Sequence, residues 1–181
     1  MLLKRIAVVV GALAMTSLAT PGSVGAGRMI ERPLHLTYTA QYQEEAEHSC
    51  ESGERANLLL GEGVGSLIGR FDLRIEACVE DTGLLTGDVT GTAYYTAANG
   101  DLLAFVFDGD YVVNPDTMTI EAVLPAVDAF GTGRFANVEL GSGIGAAYDF
   151  NPLNPDFSNS GVSYGYVTGA IIYDASARAT R

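Results

Sequence analysis

Histidine is almost missing from this 181-residue chain, with only His35 and His48 present, and lysine occurs once, at Lys4. So little histidine removes most hydrolytic chemistry, because a Ser-His-Asp triad or a Cys-His pair would have to recruit one of two residues with no supporting motif around it. A zinc centre is disfavoured for the same reason: His48 and Cys50 are too few ligands. No glycine-rich phosphate loop is followed by lysine, there is no dinucleotide fingerprint, and no Asn-x-Ser/Thr sequon occurs. Asp108-Gly109-Asp110 and the acidic, Asn/Pro-rich stretch 151–156 offer oxygen ligands to a hard cation. Neither matches an EF-hand, so both read as solvated turns. No metal and no cofactor is expected.

Long apolar runs are also lacking beyond the N-terminus. There, Lys4 and Arg5 precede an apolar stretch over 6–19 that Thr16 and Ser17 interrupt and Pro21-Gly22 ends, with Val24-Gly25-Ala26 supplying small residues before Gly27. A membrane anchor needs roughly 20 consecutive apolar residues, so the pattern predicts a cleavable secretory signal over 1–26 and a secreted or periplasmic product. The mature chain is expected to be soluble, without membrane insertion. Removing Lys4 and Arg5 takes the net charge from -12 to -14, and a field of that sign repels nucleic acid and anionic lipid. Cys50 and Cys78 are the only cysteines, and export to an oxidising compartment predicts a structural disulfide between them.

Helical periodicity is scarce as well; alternation, glycine and β-branched or aromatic residues predict a single all-β domain over 27–174, followed by a tail at 175–181. The expected strands are 34–42, 56–60, 66–79, 84–97, 102–113, 118–123, 139–150 and 162–174, with a glutamate-rich loop over 44–55. Gly61, Gly63 and Gly65 read as a break, and 125–137 as a Gly-rich connection. Over 66–79, Leu67, Phe71, Leu73, Ile75 and Ala77 alternate with Arg70, Asp72, Arg74 and Glu76. Asn99-Gly100 is a strong hairpin signal. About eight evenly spaced strands with internal glycines favour a closed barrel over a sandwich. Asp72, Glu76 and Asp88 could pair as an acid-base set, but alternation puts them on the wet face beside arginines, where ion pairing is the plainer reading.

Four segments carry a resemblance: Gly69-Arg70-Phe71, Thr86-Gly87, 95–101 (YTAANGD) and 131–137 (GTGRFAN). In that order and spacing, over 58–145, the chain resembles exported bacterial proteins of the allene oxide cyclase barrel-like group, which includes the plant dirigent proteins. The resemblance implies an eight-stranded antiparallel β-barrel with an apolar interior able to hold a small hydrophobic molecule. It also implies that any catalysis would proceed without metal or organic cofactor, with Phe135 plugging one end of the barrel and Arg134 available there to carbonyls or a carboxylate. No active-site set transfers position by position, so no catalytic residue is assigned and the reading leans away from an enzyme.

The candidate ligand-binding residues are aromatic, since tyrosine joins apolar area to a hydroxyl that can orient a ligand. Tyr95, Phe105, Phe107, Tyr111, Tyr148, Tyr164 and Tyr166 all fall on strands, several on the inward set, and Arg134 joins them. The leading expectation is an exported barrel that binds a small hydrophobic or aromatic ligand or serves structurally. The alternative is a cofactor-free cyclase or isomerase acting inside the barrel. No motif specifies an oligomeric state.

Overall fold

The computed structural model describes residues 28–43, 48–117, 119–152 and 161–175. The expected signal segment, most of the tail and much of the 151–160 loop lie outside the described residues. Nine strands follow in chain order: β1 (Met29–Gln43), β2 (Arg55–Gly65), β3 (Gly69–Asp81), β4 (Thr86–Ala97), β5 (Leu102–Asn114), β6 (Thr119–Gly131), β7 (Glu139–Leu140), β8 (Gly145–Pro152) and β9 (Gly161–Asp174). Each pairs antiparallel with its neighbour in the order β1-β2-β3-β4-β5-β6-β8-β9, and β9 returns to β1, closing an eight-stranded barrel. The short β7 lies outside it against Ile171 and Ile172. Closure leaves no exposed sheet edge in the barrel. No helix among the described residues is long and apolar enough to cross a membrane.

The two-residue alternation sets what points inward. On β1 the buried set is Leu34, Leu36, Tyr38 and Ala40; on β3 it is Phe71, Leu73, Ile75, Ala77 and Val79. The expected inward Leu67 is instead half-buried in the turn before β3, at φ 65°, and Ile68 takes the buried place. Glycines 61, 63 and 65 do not break the chain. They continue β2 with their missing side chains aimed inward, where Gly63 stands directly opposite Phe71 and a Cβ on it would lie 2.4 Å from that ring. Similarly Gly165 faces Tyr38, and Gly91 faces Phe107. Large rings from one strand therefore occupy the space their opposite neighbour leaves empty.

Two further boundaries differ from expectation. The segment read as a loop from residue 125 continues as β6, because a bulge between Val106 and Phe107 shifts its register and turns both Ala126 and Ala129 toward the interior. That shift erases the alternation by which a strand is read, and the ladder to β5 passes over Pro125, which has no N–H to give. The expected strand over 139–150 is two, β7 and β8, parted by a turn with Gly143 at φ 61°.

Cys50 and Cys78 are joined in a disulfide with Cα atoms 5.6 Å apart. Linking residues 28 apart stabilises the fold by about 3 to 4 kcal/mol on a chain-entropy account. It pins the segment before β2 to the outer face of β3, where His48 Nε2 also donates to the Ala77 carbonyl at 3.0 Å. Such a bond belongs to an oxidising, extracytoplasmic environment.

Gly165→Ala tests the ring-over-glycine packing most cleanly, since the three atoms nearest the new methyl all belong to the Tyr38 side chain, the first at 2.2 Å. A loss of about 1 to 3 kcal/mol is expected on urea unfolding of the oxidised protein. The loss should shrink in a Tyr38→Leu background; equal losses in both would mean the ring does not fill that space.

Candidate ligand site at the barrel mouth

Tyr95, Phe105 and Phe107 meet in the middle of the barrel, where Tyr95 is 1% exposed. Its ring packs edge-on against Phe71 at 5.3 Å and Phe105 at 5.8 Å. Burial, and then the neighbouring Tyr38, raise the Tyr95 hydroxyl well above the ordinary phenol value. The gap left among these rings is about 20 Å³, enough for one water and no ligand. The centre of the barrel is solid.

One end is closed as well. After β6 the chain makes a single 3-10 turn, Gly133–Phe135, and Phe135 enters the barrel with no exposed surface. Gly133 has φ 60°, and a Cβ there would lie 1.9 Å from Asp101 Oδ1, so glycine is required on two counts. Asp101 is buried just after the Asn99-Gly100 turn, where it accepts from Asn99 Nδ2 at 2.9 Å. Arg134 lies over the Phe135 ring, 5.0 Å from its centroid, with Nε 2.9 Å from the Asp101 carboxylate. That contact is electrostatic rather than an aligned hydrogen bond. The carboxylate beside Arg134 is thus the protein's own, and the segments 95–101 and 131–137 lock against each other.

Among the described residues nothing closes the opposite end. A cavity of about 540 Å³ occupies the mouth, walled by Leu59, Val79, Val89, Val113 and Ile120, with Leu84 at the tip of the β3–β4 turn on its rim. Leu84 is 98% exposed. The size is that of a small-molecule pocket, apolar with a few polar groups. Those polar groups form two clusters. Tyr42 Oη donates to Asn57 Oδ1 at 3.0 Å. Across the mouth, Asp81 Oδ1 accepts from Tyr111 Oη and from Arg55 Nη2, the latter at 2.8 Å.

These contacts separate the two ionisations. The Tyr111 hydrogen bond holds the Asp81 carboxyl below its ordinary value against a counteracting desolvation, with Arg55 adding to the lowering. Burial first, and then the hydrogen bond to Asp81, push Tyr111 up to about 12. At neutral pH the mouth carries an ionised Asp81, a neutral phenol and a guanidinium.

Of the candidate ligand-binding residues whose side chains are described, only Tyr111 lines this cavity. Tyr95, Phe105 and Phe107 are core, and Arg134 belongs to the closed end. Tyr164 and Tyr166, at 59% and 52% exposed, stand on the outer wall rather than in the inward set. Tyr148 lies opposite Ala122 and Gly165 by backbone pairing, and its side chain lies outside the described part of the chain. On the wet face Glu76 pairs with Arg74 at 2.7 Å, as alternation implies, while Asp72 and Asp88 stand opposite Glu62 and Asp110. Among the described residues one group of three potential metal ligands lies close together, His48, Cys50 and Cys78, and its two sulfurs are bonded to each other.

Tyr42, Arg55, Asn57 and Asp81 carried no motif. The available signal was positional: in an up-and-down meander, the end of β1, the start of β2, the end of β3 and the end of β5 must lie at the same end of the barrel. No protein-family model matches the chain, and no curated protein matches it.

The shifts fix a pH window. Asp81, lowered, contributes stability that is present above its unfolded value near 3.8 and is lost as pH falls through the folded value. Tyr111, raised, contributes stability that is present below 10.0 and is lost as pH rises toward about 12. Absorbance titration of the phenols should find Tyr111 ionising near pH 12. In Tyr111→Phe that late transition disappears, and the Asp81 carboxyl carbon should titrate at higher pH by NMR; an unmoved Asp81 would mean the phenol does not hold it.

Proposed function

We propose that this protein is an exported barrel that binds a small, mostly apolar or aromatic molecule in its open mouth rather than at its centre. The observation that carries this reading is the 540 Å³ apolar cavity with hydrogen-bonding groups at its wall, set above a core too full to admit anything larger than water. A ligand would lay its apolar body against Leu59, Val89, Val113 and Ile120. Its polar end would meet Asp81 and Arg55, or Asn57. The disulfide and the leader pattern support a secreted or periplasmic location, and the closed eight-stranded barrel supports kinship with the allene oxide cyclase barrel-like group.

A cofactor-free cyclase or isomerase is the second reading, because Tyr111 and Asp81 place an ionisable pair in a reachable cavity. General acid-base catalysis works best with groups poised near the operating pH, and here both are displaced away from neutrality. Binding is therefore favoured over chemistry.

The native mass of protein exported by a host and purified without denaturation provides the test. An added small-molecule mass, or one gained after exposure to a hydrophobic metabolite extract, is expected in the wild type and absent from Ile120→Trp, whose indole fills the mouth. A mass that stays bare after such exposure would sink the reading and leave a solid, structural barrel.

A further inference from the structure

The outer wall carries a second recess, on the far side of the strands from the core and independent of the mouth. It is a groove of about 870 Å³ running across β9, β1, β2, β3 and the end of β4. Strand pairing arranges its lining in two parallel rows. Tyr166, Thr37, Val64 and Arg70 stand side by side in one. Tyr164, Thr39, Glu62, Asp72 and Thr96 make the other. Neighbouring strands lie about 4.8 Å apart, so the second row spans about 19 Å. Short threonines on β1 form the floor between the tall tyrosines and the longer side chains of β2 and β3, which makes the surface concave.

Three features specify what this groove can hold. Tyr164 and Tyr166 are two apart on β9, both more than half exposed, and project from the same face. Two rings so placed offer flat apolar surfaces to an occupant that is itself flat-sided, with a hydroxyl at each edge. Glu62 and Asp72 lie directly opposite each other, and no ion pair to either exists among the described residues. Like charges facing across a ladder destabilise it, and that repulsion is relieved by donors placed between them. The third feature is Arg70, which supplies donors in the adjoining row, while the threonine hydroxyls both donate and accept.

An occupant with apolar faces, many hydroxyls and no charge meets all three requirements. A polyanion is repelled by a chain of net charge -12. A lipid would find carboxylates where it needs apolar surface, and a cationic peptide would use the carboxylates but meet Arg70 and leave the tyrosine pair without a role. We propose that the groove binds a neutral glycan chain lying across the strands, its sugar faces on Tyr164 and Tyr166 and its hydroxyls donating to Glu62 and Asp72. This goes beyond the mouth reading and does not rest on it.

Native affinity electrophoresis of the exported protein tests it, with hydroxyethylcellulose, xylan or laminarin in the gel and oligolysine as a charged competitor. Retardation by at least one polysaccharide is expected, with association falling at least tenfold in Tyr164→Ala/Tyr166→Ala. It should be kept in Tyr164→Phe/Tyr166→Phe, which preserves the rings, and lowered in Glu62→Gln/Asp72→Asn. The Ile120→Trp variant should migrate as wild type, separating this groove from the mouth. The proposal is overturned if none of the three polysaccharides retards the protein. It is equally overturned if retardation survives loss of both tyrosine rings, or if oligolysine binds and the glycans do not.

Discussion

Closing eight strands around a solid interior imposes a steric constraint on which much of this structure depends: four of its large inward rings point at a facing residue with no side chain, while Tyr95 and Phe105 pack at the centre opposite Leu73, Leu103 and Ala93. Tyr38 faces Gly165, Phe71 faces Gly63, Phe107 faces Gly91 and Tyr111 faces Gly87, each as a direct cross-strand pair. Glycine in a strand interior ordinarily weakens it. Here a Cβ would stand 2.2 to 2.8 Å from the opposing ring in every case, so the ring recovers the packing that the glycine gives up. The filled centre follows directly, and with it the exclusion of ligands from the position a hollow barrel would offer. The larger recesses lie at the mouth and on the outer wall.

The two ends use one ingredient to opposite effect. At each, an aspartate accepts contacts from side chains on neighbouring segments: Asp101 from Asn99 and Arg134, Asp81 from Tyr111 and Arg55. Asp101 is buried, and its partner Arg134 lies in a loop that folds back into the barrel with Phe135, so that end is a plug. The Asp81 side chain is 56% exposed, and its partners lie along the rim. No described residue folds over them, so the same kind of contact there lines a cavity. The β6–β8 connection at the plugged end carries a 3-10 turn and an extra strand, while the β3–β4 turn at the open end contributes only a short tip bearing Leu84.

The β3 to β5 meander could be read along the chain because each of its strands buries one face and wets the other, so side-chain type alternates with the backbone's own period. The Asn99-Gly100 reversal and the Cys50–Cys78 bridge were legible for equally local reasons, turn chemistry in one case and compartment in the other. Reading failed where the interior wanted glycine, as in β2, because an inward glycine and a loop glycine look alike along the chain. It failed again in β6, where a bulge put two alanines three apart on the same side. Tyr164 and Tyr166, candidates for a ligand inside the barrel, alternate on the outward phase of β9. Nothing local distinguishes a tyrosine that fills a core from one that faces water.

By itself, then, the sequence determined that the chain is all-β, that its strands run as a meander, and that two cysteines tie it in an oxidising environment, since each of these follows from periodicity or composition within short range. Tertiary structure alone decided which glycines face which rings, and therefore that the barrel is filled. It also decided that Tyr42, Arg55, Asp81 and Tyr111 share one rim. The contacts joining Asp81 to its partners span 26 and 30 residues of chain. Register across the closed sheet, to which every pair of strands contributes, sets those neighbours, and no single segment carries that information.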